Sequence, residues 1–183
     1  MQKHALVILA EGNEEVEAMT QVDLLRRADI LVTVAGLSGT EVKGSHDIVV
    51  TADIALEQFS GDFDAVILPG GMPGTVYLYK SGTVLSIVRE AYNKGLLCAA
   101  ICAAPLVLNT AGILKGKKFT CYPGIEEKID YGTFCEDKVV CDGNIITSRG
   151  VGTAIPFALA IVEYLLGKEK SDELAAQIVF SSN

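Results

Sequence analysis

The chain has 183 residues, half of them hydrophobic, and its 23 acidic against 15 basic side chains leave a formal net charge of −8. That length suits a single α/β domain over residues 1–183 with one large core. The acidic balance argues against a nucleic-acid partner, since Lys115-Gly116-Lys117-Lys118 is the one basic cluster, and no apolar run approaches a bilayer crossing.

The start, Met1-Gln2-Lys3-His4-Ala5, carries no signal-peptide cleavage region, which points to a cytoplasmic protein. Ala5 to Ala10 is a continuous apolar run, the pattern of a strand buried on both faces of a parallel sheet. Glu11-Gly12-Asn13 follows as a turn, and Asn13 is the expected N-cap of a helix from Glu14 to about Ala28. Glu14, Glu15 and Glu17 crowd its first turns. Acidic side chains there complement the helix dipole, which accounts for Glu14 and Glu15. Glu17 falls over Thr20, Leu24 and Ala28, a partly apolar face, so an inward carboxyl with a raised pKa competes with the dipole explanation. Periodicity alone leaves the three open.

Leu31 to Gly36 is the second strand of a right-handed βαβ start. Glu41 to Thr51 reads as a small hairpin off the main sheet, with His46 beside its turn; a lone loop histidine is ordinarily a surface residue. Asp64 to Leu68, a third buried strand, stops at Pro69-Gly70-Gly71-Met72-Pro73-Gly74. This is neither G-x-G-x-x-G nor a P-loop, so no dinucleotide or phosphate site follows from it. A glycine pair at a strand's carboxyl end exposes backbone N–H groups, and an oxyanion-binding turn is the economical functional reading; a tight turn that merely needs glycine is the structural one.

A helix over about Val84 to Asn93 leads to Leu96-Leu97-Cys98-Ala99-Ala100-Ile101-Cys102-Ala103-Ala104-Pro105, around which the chain is organised. Pro105 places a helix start near Ala103 or Ala104, because proline belongs in a first helical turn. Cys102 then lies at a strand-to-helix junction, where a positive dipole end is expected to lower its pKa, and the alanines leave room for approach. The alternative is a small buried apolar residue. Phe119 to Gly124 is a short strand and turn, and residues 139–141 and 145–148 form a hairpin across Asp142-Gly143-Asn144. A long helix through Ile155 to Leu166 and a polar one from about Lys170 to Ile178 close the chain. The five cysteines, Cys98, Cys102, Cys121, Cys135 and Cys141, form no C-x-x-C pairs and do not suggest disulfides or structural zinc.

Assembled in space, these strands would deliver Glu17, Gly70-Gly71 and Cys102 to one sheet edge: a nucleophile on a turn, backbone donors and a carboxyl. The motifs Ala10-Glu11-Gly12-Asn13-Glu14-Glu15-Val16-Glu17, Leu68-Pro69-Gly70-Gly71, Ala99 to Pro105 and Thr147-Ser148-Arg149-Gly150-Val151-Gly152-Thr153 occur in that order across nearly the full length. With them the chain resembles the ThiJ/PfpI superfamily, a class I glutamine amidotransferase-like group, in its DJ-one and YajL branch.

The resemblance implies a flavodoxin-like, doubly wound three-layer α/β/α sandwich with a mainly parallel sheet, and a homodimer. It implies that Cys102 is an oxidisable nucleophile, that Glu17 is the protonated glutamate beside it, and that Gly70, Gly71 and Ala103 supply backbone donors. It further implies a cofactor-free enzyme acting on small reactive carbonyls or glycated side chains, methylglyoxal to lactate, or else a redox-sensing chaperone that oxidises Cys102 to a sulfinate without turnover. Two positions depart from the pattern. Tyr122 stands where many members carry a histidine, and a phenol is a poor general base near neutral pH, so a Cys–His dyad and protease activity are not expected. His46 stands where relatives carry an arginine that enters the partner subunit's pocket, and the same reach across a dimer is expected of it.

Overall fold

The run from His4 to Leu9 is strand β1, followed by α1 (Glu15–Arg27), β2 (Leu31–Gly36), β3 (Glu41–Lys43), β4 (Val49–Thr51) and β5 (Ile54–Ala55). Then come β6 (Ala65–Leu68), α2 (Gly74–Lys80), α3 (Gly82–Asn93), β7 (Leu97–Ile101) and α4 (Pro105–Ala111). The chain continues through β8 (Lys118–Phe119), β9 (Thr133–Phe134), β10 (Val139–Asp142), β11 (Ile145–Ser148), α5 (Ala154–Leu166) and α6 (Lys168–Gln177). This computed structural model describes residues 2–181; Met1, Ser182 and Asn183, the ends of the expected domain, lie outside them.

Seven strands form one sheet in the order β10-β11-β7-β6-β1-β2-β5, parallel except for the β10–β11 hairpin. The inner order β2-β1-β6-β7-β11 is the flavodoxin-like doubly wound arrangement, whose ligand crevice opens at the carboxyl ends of the strands where the winding reverses, here between β1 and β6. Strand alternation builds two cores. Ala5, Val7, Leu9, Ala99 and Ile101 face the side covered by α1, α5 and α6. Leu6, Ile8, Val66, Leu68, Cys98 and Ala100 face α2, α3 and α4. Both faces are buried, and the strands therefore read as unbroken apolar runs. The β3–β4 hairpin stands apart as its own antiparallel pair.

Two expectations change. Glu14, rather than Asn13, caps α1: its Oε2 accepts the Glu17 N–H at 2.7 Å. Asn13 is buried and turns its side-chain amide back to the Ala10 carbonyl, at 3.0 Å. The segment ahead of Val84 holds an unforeseen helix, α2. It has only 7 residues, too few to show a period, and Ser81 separates it from α3 by accepting the Val84 N–H at 3.3 Å.

Candidate active site

Glu17 lies in the first turn of α1 with its side chain fully buried. Its Oε2 accepts the Gly70 N–H at 2.9 Å, and its Oε1 has no hydrogen-bond partner among the described residues. The loop after β6 carries Gly70 and Gly71 past this carboxyl, and glycine is required at both. A Cβ on Gly70 would lie 2.6 Å from Cys102 Cβ and 2.8 Å from Glu17 Oε2. Gly71 has φ +92° and runs against the backbone of Gly12, Asn13 and Glu14.

Cys102 follows β7 directly with φ +64°, a left-handed conformation uncommon outside glycine and costly for a side chain with a Cβ. Its neighbours pin it there. The Cys102 N–H donates to the Ser148 carbonyl at 3.0 Å, and its own carbonyl accepts from the Tyr122 N–H at 2.9 Å. The turn aims the sulfur at the N–H groups of Gly71 and Ala103 and at the Glu17 carboxyl. The sharp strand-to-helix turn is a recurrent way to present a nucleophile at the top of an α/β sheet.

Burial raises the Glu17 carboxyl to about 7, with the charge of Glu14 adding to the effect and Cys102 and the Gly70 N–H opposing it. Burial also pushes the Cys102 thiol up, to about 12, and the Glu17 charge pushes the same way; the Gly71 and Ala103 N–H groups pull it down. The expected lowering by a helix terminus is therefore overturned. Helix α4 starts only at Pro105, has 7 residues, and is outweighed by desolvation and the carboxylate. Near neutral pH the Glu17 carboxyl is the group that titrates, while the Cys102 thiol keeps its proton and ionises only with help.

Around Cys102 the surface opens into two lobes divided by Tyr122 and Pro123. One, about 400 Å³, is walled by Gly71, Met72, Ala103, Gly124, Ile125 and Lys128. The other, about 420 Å³, is walled by Glu14, Glu17, Arg149 and Gly150 to Thr153. Sequence reasoning assigned no role to Lys128 or Arg149, and gave Glu14 only a place against the helix dipole before the resemblance singled out Glu17. Arg149 and Gly150 follow strand β11 at the same carboxyl edge, which is the signal that could have found them. Thr153 Oγ1 fixes that turn by accepting the Arg149 and Gly150 N–H groups at 3.2 and 3.1 Å. Nothing in the sequence marks Lys128.

The structure thus brings Glu17, Gly70, Gly71, Cys102, Ala103 and Tyr122 together, with one redistribution of roles. The Gly70 N–H is occupied by Glu17 and positions it, leaving Gly71 and Ala103 as the donors at the sulfur. His46 does not line the cleft of its own chain. Its Nδ1 lies 2.8 Å from Glu15 Oε2, and its backbone N–H donates to Glu15 Oε1 at 2.6 Å. Glu14, Glu15 and His46 offer ligand atoms within 4.8 Å of one another, a grouping of metal-binding type in which the imidazole is already engaged by Glu15. All five cysteines are free thiols. No described helix is long and apolar enough to cross a membrane.

Comparison with known proteins gives a consistent picture. The profile of the DJ-1/PfpI family matches residues 3–164. Protein dj-1beta of Drosophila melanogaster is 48% identical over the whole of both chains, and its crystal structure superposes with a TM-score of 0.96. The glutathione-independent glyoxalase DJR-1.2 of Caenorhabditis elegans is 37% identical, with 94% of each chain covered. A Toxoplasma gondii DJ-1 structure, described as oxidized, is 34% identical with a TM-score of 0.95, covering 98% of this chain and all of that one.

Proposed function

As this chain belongs to the DJ-1/PfpI family, we propose that it is a Cys102-dependent enzyme acting on small reactive carbonyls, with glyoxalase- or deglycase-type chemistry. The observation that carries this reading is the convergence of a strained Cys102, two backbone donors and a buried carboxyl of pKa about 7 at the head of an open cleft. A base poised near 7 combines a useful ionised fraction with proton-transfer driving force. The existence of a glyoxalase among the relatives supports the substrate class.

In the proposed reaction, Glu17 takes the thiol proton as sulfur adds to the aldehyde carbon of methylglyoxal. The Gly71 and Ala103 N–H groups stabilise the oxyanion, and the proton is returned to that oxygen to give a hemithioacetal. Glu17 then removes the hydrogen from the former aldehyde carbon and delivers it to the neighbouring ketone carbon, while the hydroxyl proton passes from the first carbon's oxygen to the second's, leaving a lactoyl thioester. Water hydrolyses the thioester to lactate and restores the thiol. The aldehyde carbon is oxidised and the ketone carbon reduced, so the chemistry calls on no external redox partner. Tyr122 is proposed as a hydrogen-bonding wall, and a homodimer in which His46 reaches the second copy's cleft belongs to the same proposal. The test is conversion of methylglyoxal in thiol-free buffer by the parent protein and by Cys102→Ala; an alanine variant that retains turnover refutes the reading.

A second reading has its own support. The two N–H donors at the sulfur would equally suit the oxygens of a sulfinate, and an oxidised relative has been solved. Selective gain of two oxygens at Cys102 under mild peroxide, with no dicarbonyl turnover, would favour a redox sensor.

A further inference from the structure

Cys102 is approached from two lobes, and their charges differ. In the lobe that holds Glu17, an incoming anion meets that carboxyl and Glu14. Arg149 lines the same lobe and keeps its charge, its Nη1 donating to the Glu136 carbonyl at 3.2 Å and its guanidinium 5.8 Å over the Phe134 ring, so this lobe sets two carboxyl groups against one cation. In the opposite lobe Lys128 is the one charged side chain. It is exposed and forms no ion pair among the described residues, so its ammonium is available to a ligand. Met72, Pro123 and Ile125 line the same lobe as Cys102 and Lys128, an apolar surface that suits a short methylene chain. Gly71 and Ala103, whose N–H groups face the sulfur, line this same lobe. The oxygen of an attacked carbonyl and the carbon chain beyond it therefore lie on the Lys128 side, while proton transfer occurs on the Glu17 side.

We infer that Lys128 is a specificity residue, and that the site favours 2-oxoaldehydes carrying a carboxylate tail over neutral ones such as methylglyoxal. This inference rests on the carbonyl-enzyme reading above. Methylglyoxal fills only a small part of a lobe of about 400 Å³. An acid such as 4,5-dioxopentanoate would place its aldehyde at Cys102, its methylenes along Met72 and Ile125, and its carboxylate at Lys128. The redox balance is unchanged: one water is consumed, the aldehyde carbon becomes a carboxylate, the ketone carbon becomes an alcohol, and the product is 2-hydroxyglutarate.

The test compares kcat/KM for 4,5-dioxopentanoate and for its methyl ester, which differ only in the tail charge. The parent protein should prefer the acid by about fivefold, the scale of an exposed ion pair, chiefly through KM. Added salt should erode the preference. Lys128→Met should abolish it, Lys128→Arg should retain it, and Lys128→Glu should invert it. Turnover of both probes with equal efficiency, or a preference that Lys128→Met does not move, overturns the role of Lys128 while leaving Cys102 catalysis standing. Turnover of neither probe by a parent protein that converts methylglyoxal overturns the inference alone, and failure on methylglyoxal as well overturns both.

Discussion

Glu17 is anchored by one oxygen and free at the other: Oε2 accepts the Gly70 N–H at 2.9 Å, and Oε1 is buried with no hydrogen-bond partner among the described residues. The bond to Gly70 fixes the carboxyl beside the Cys102 sulfur and leaves one lone-pair face to carry a proton. Glu17→Gln keeps the shape and the bond to Gly70 but removes the base. Its kcat for methylglyoxal should fall by about 10²- to 10⁴-fold, the usual contribution of general acid–base catalysis. In the parent protein kcat should rise with pH and level off above about 7, as the carboxyl ionises. That limb should be missing from the glutamine variant. A residual rate with the same rise at 7 would remove Glu17 from the proton-transfer role.

The same carboxyl makes folding less favourable as pH rises. Its folded pKa, about 7, lies above the ordinary carboxyl value of 4.5, so the native state holds the proton more tightly than the unfolded chain. The stabilisation is full below 4.5, is lost as pH climbs through 7, and amounts to about 3 kcal/mol over that span. Glutamine mimics the protonated acid at every pH. Urea unfolding should therefore find the two proteins similar near pH 4 and Glu17→Gln the more stable by about 3 kcal/mol at pH 8. Equal stability at pH 8 would mean that the carboxylate is not desolvated as the structure implies. A variant that gains stability as it loses activity fits a buried charge kept for chemistry.

Thiol reactivity separates a carboxylate-controlled cysteine from one activated by a helix terminus. After burial, the largest influence holding the Cys102 pKa up is the Glu17 charge, and Glu17→Gln removes it while leaving α4 in place. Alkylation of Cys102 by iodoacetamide at pH 8 should accelerate by at least roughly tenfold in the variant, since thiolate is the reacting form. The rate must be read by peptide mapping, because Cys135 is partly exposed and Cys141 exposed. Faster alkylation together with slower catalysis is the signature of a general base. An unchanged alkylation rate would return control of the thiol to the helix.

The architecture was legible because strands buried on both faces leave continuous apolar runs, and Ala5 to Ala10, Asp64 to Leu68 and Leu96 to Ile101 all became neighbouring parallel strands. The membership of Cys102, Glu17 and the glycine pair in one site was legible for a related reason: residues just past parallel strands must gather at one edge. Electrostatics were not. Whether a thiol beside a helix start is lowered or raised depends on desolvation and on the charge opposite it, and neither has a period or a motif. The cap at Glu14 escaped for a different reason, since Asn13 is the better capping residue by type and is diverted by burial and its bond to Ala10. Lys128 lines the cleft from the end of a short 3-10 helix, Glu126–Lys128, whose path after Tyr122 only the folded chain fixes.

The pair formed by Glu15 and His46 predicts a stability effect with a defined pH window. Burial alone would raise the Glu15 carboxyl, but hydrogen bonds from the His46 imidazole and backbone N–H bring it down to about 2. His46 is raised in turn, by its hydrogen bond to Glu15 and then by the charge of that carboxylate. Glu15 contributes fully above 4.5 and fades as pH falls toward 2. His46 contributes fully below 6.5 and fades as pH rises through its raised pKa. His46→Ala should therefore lower Tm most between about pH 4.5 and 6.5, by roughly 2–4 °C for a chain of this size, with the gap narrowing on both sides. A gap that is flat from pH 3 to 9 would mean that the two side chains do not form an ion pair. Activity is a separate readout of the same variant. If His46 also enters the cleft of a second copy, kcat/KM for methylglyoxal and its pH profile should change at a temperature where the variant is fully folded. Unchanged values there would confine His46 to its bond with Glu15.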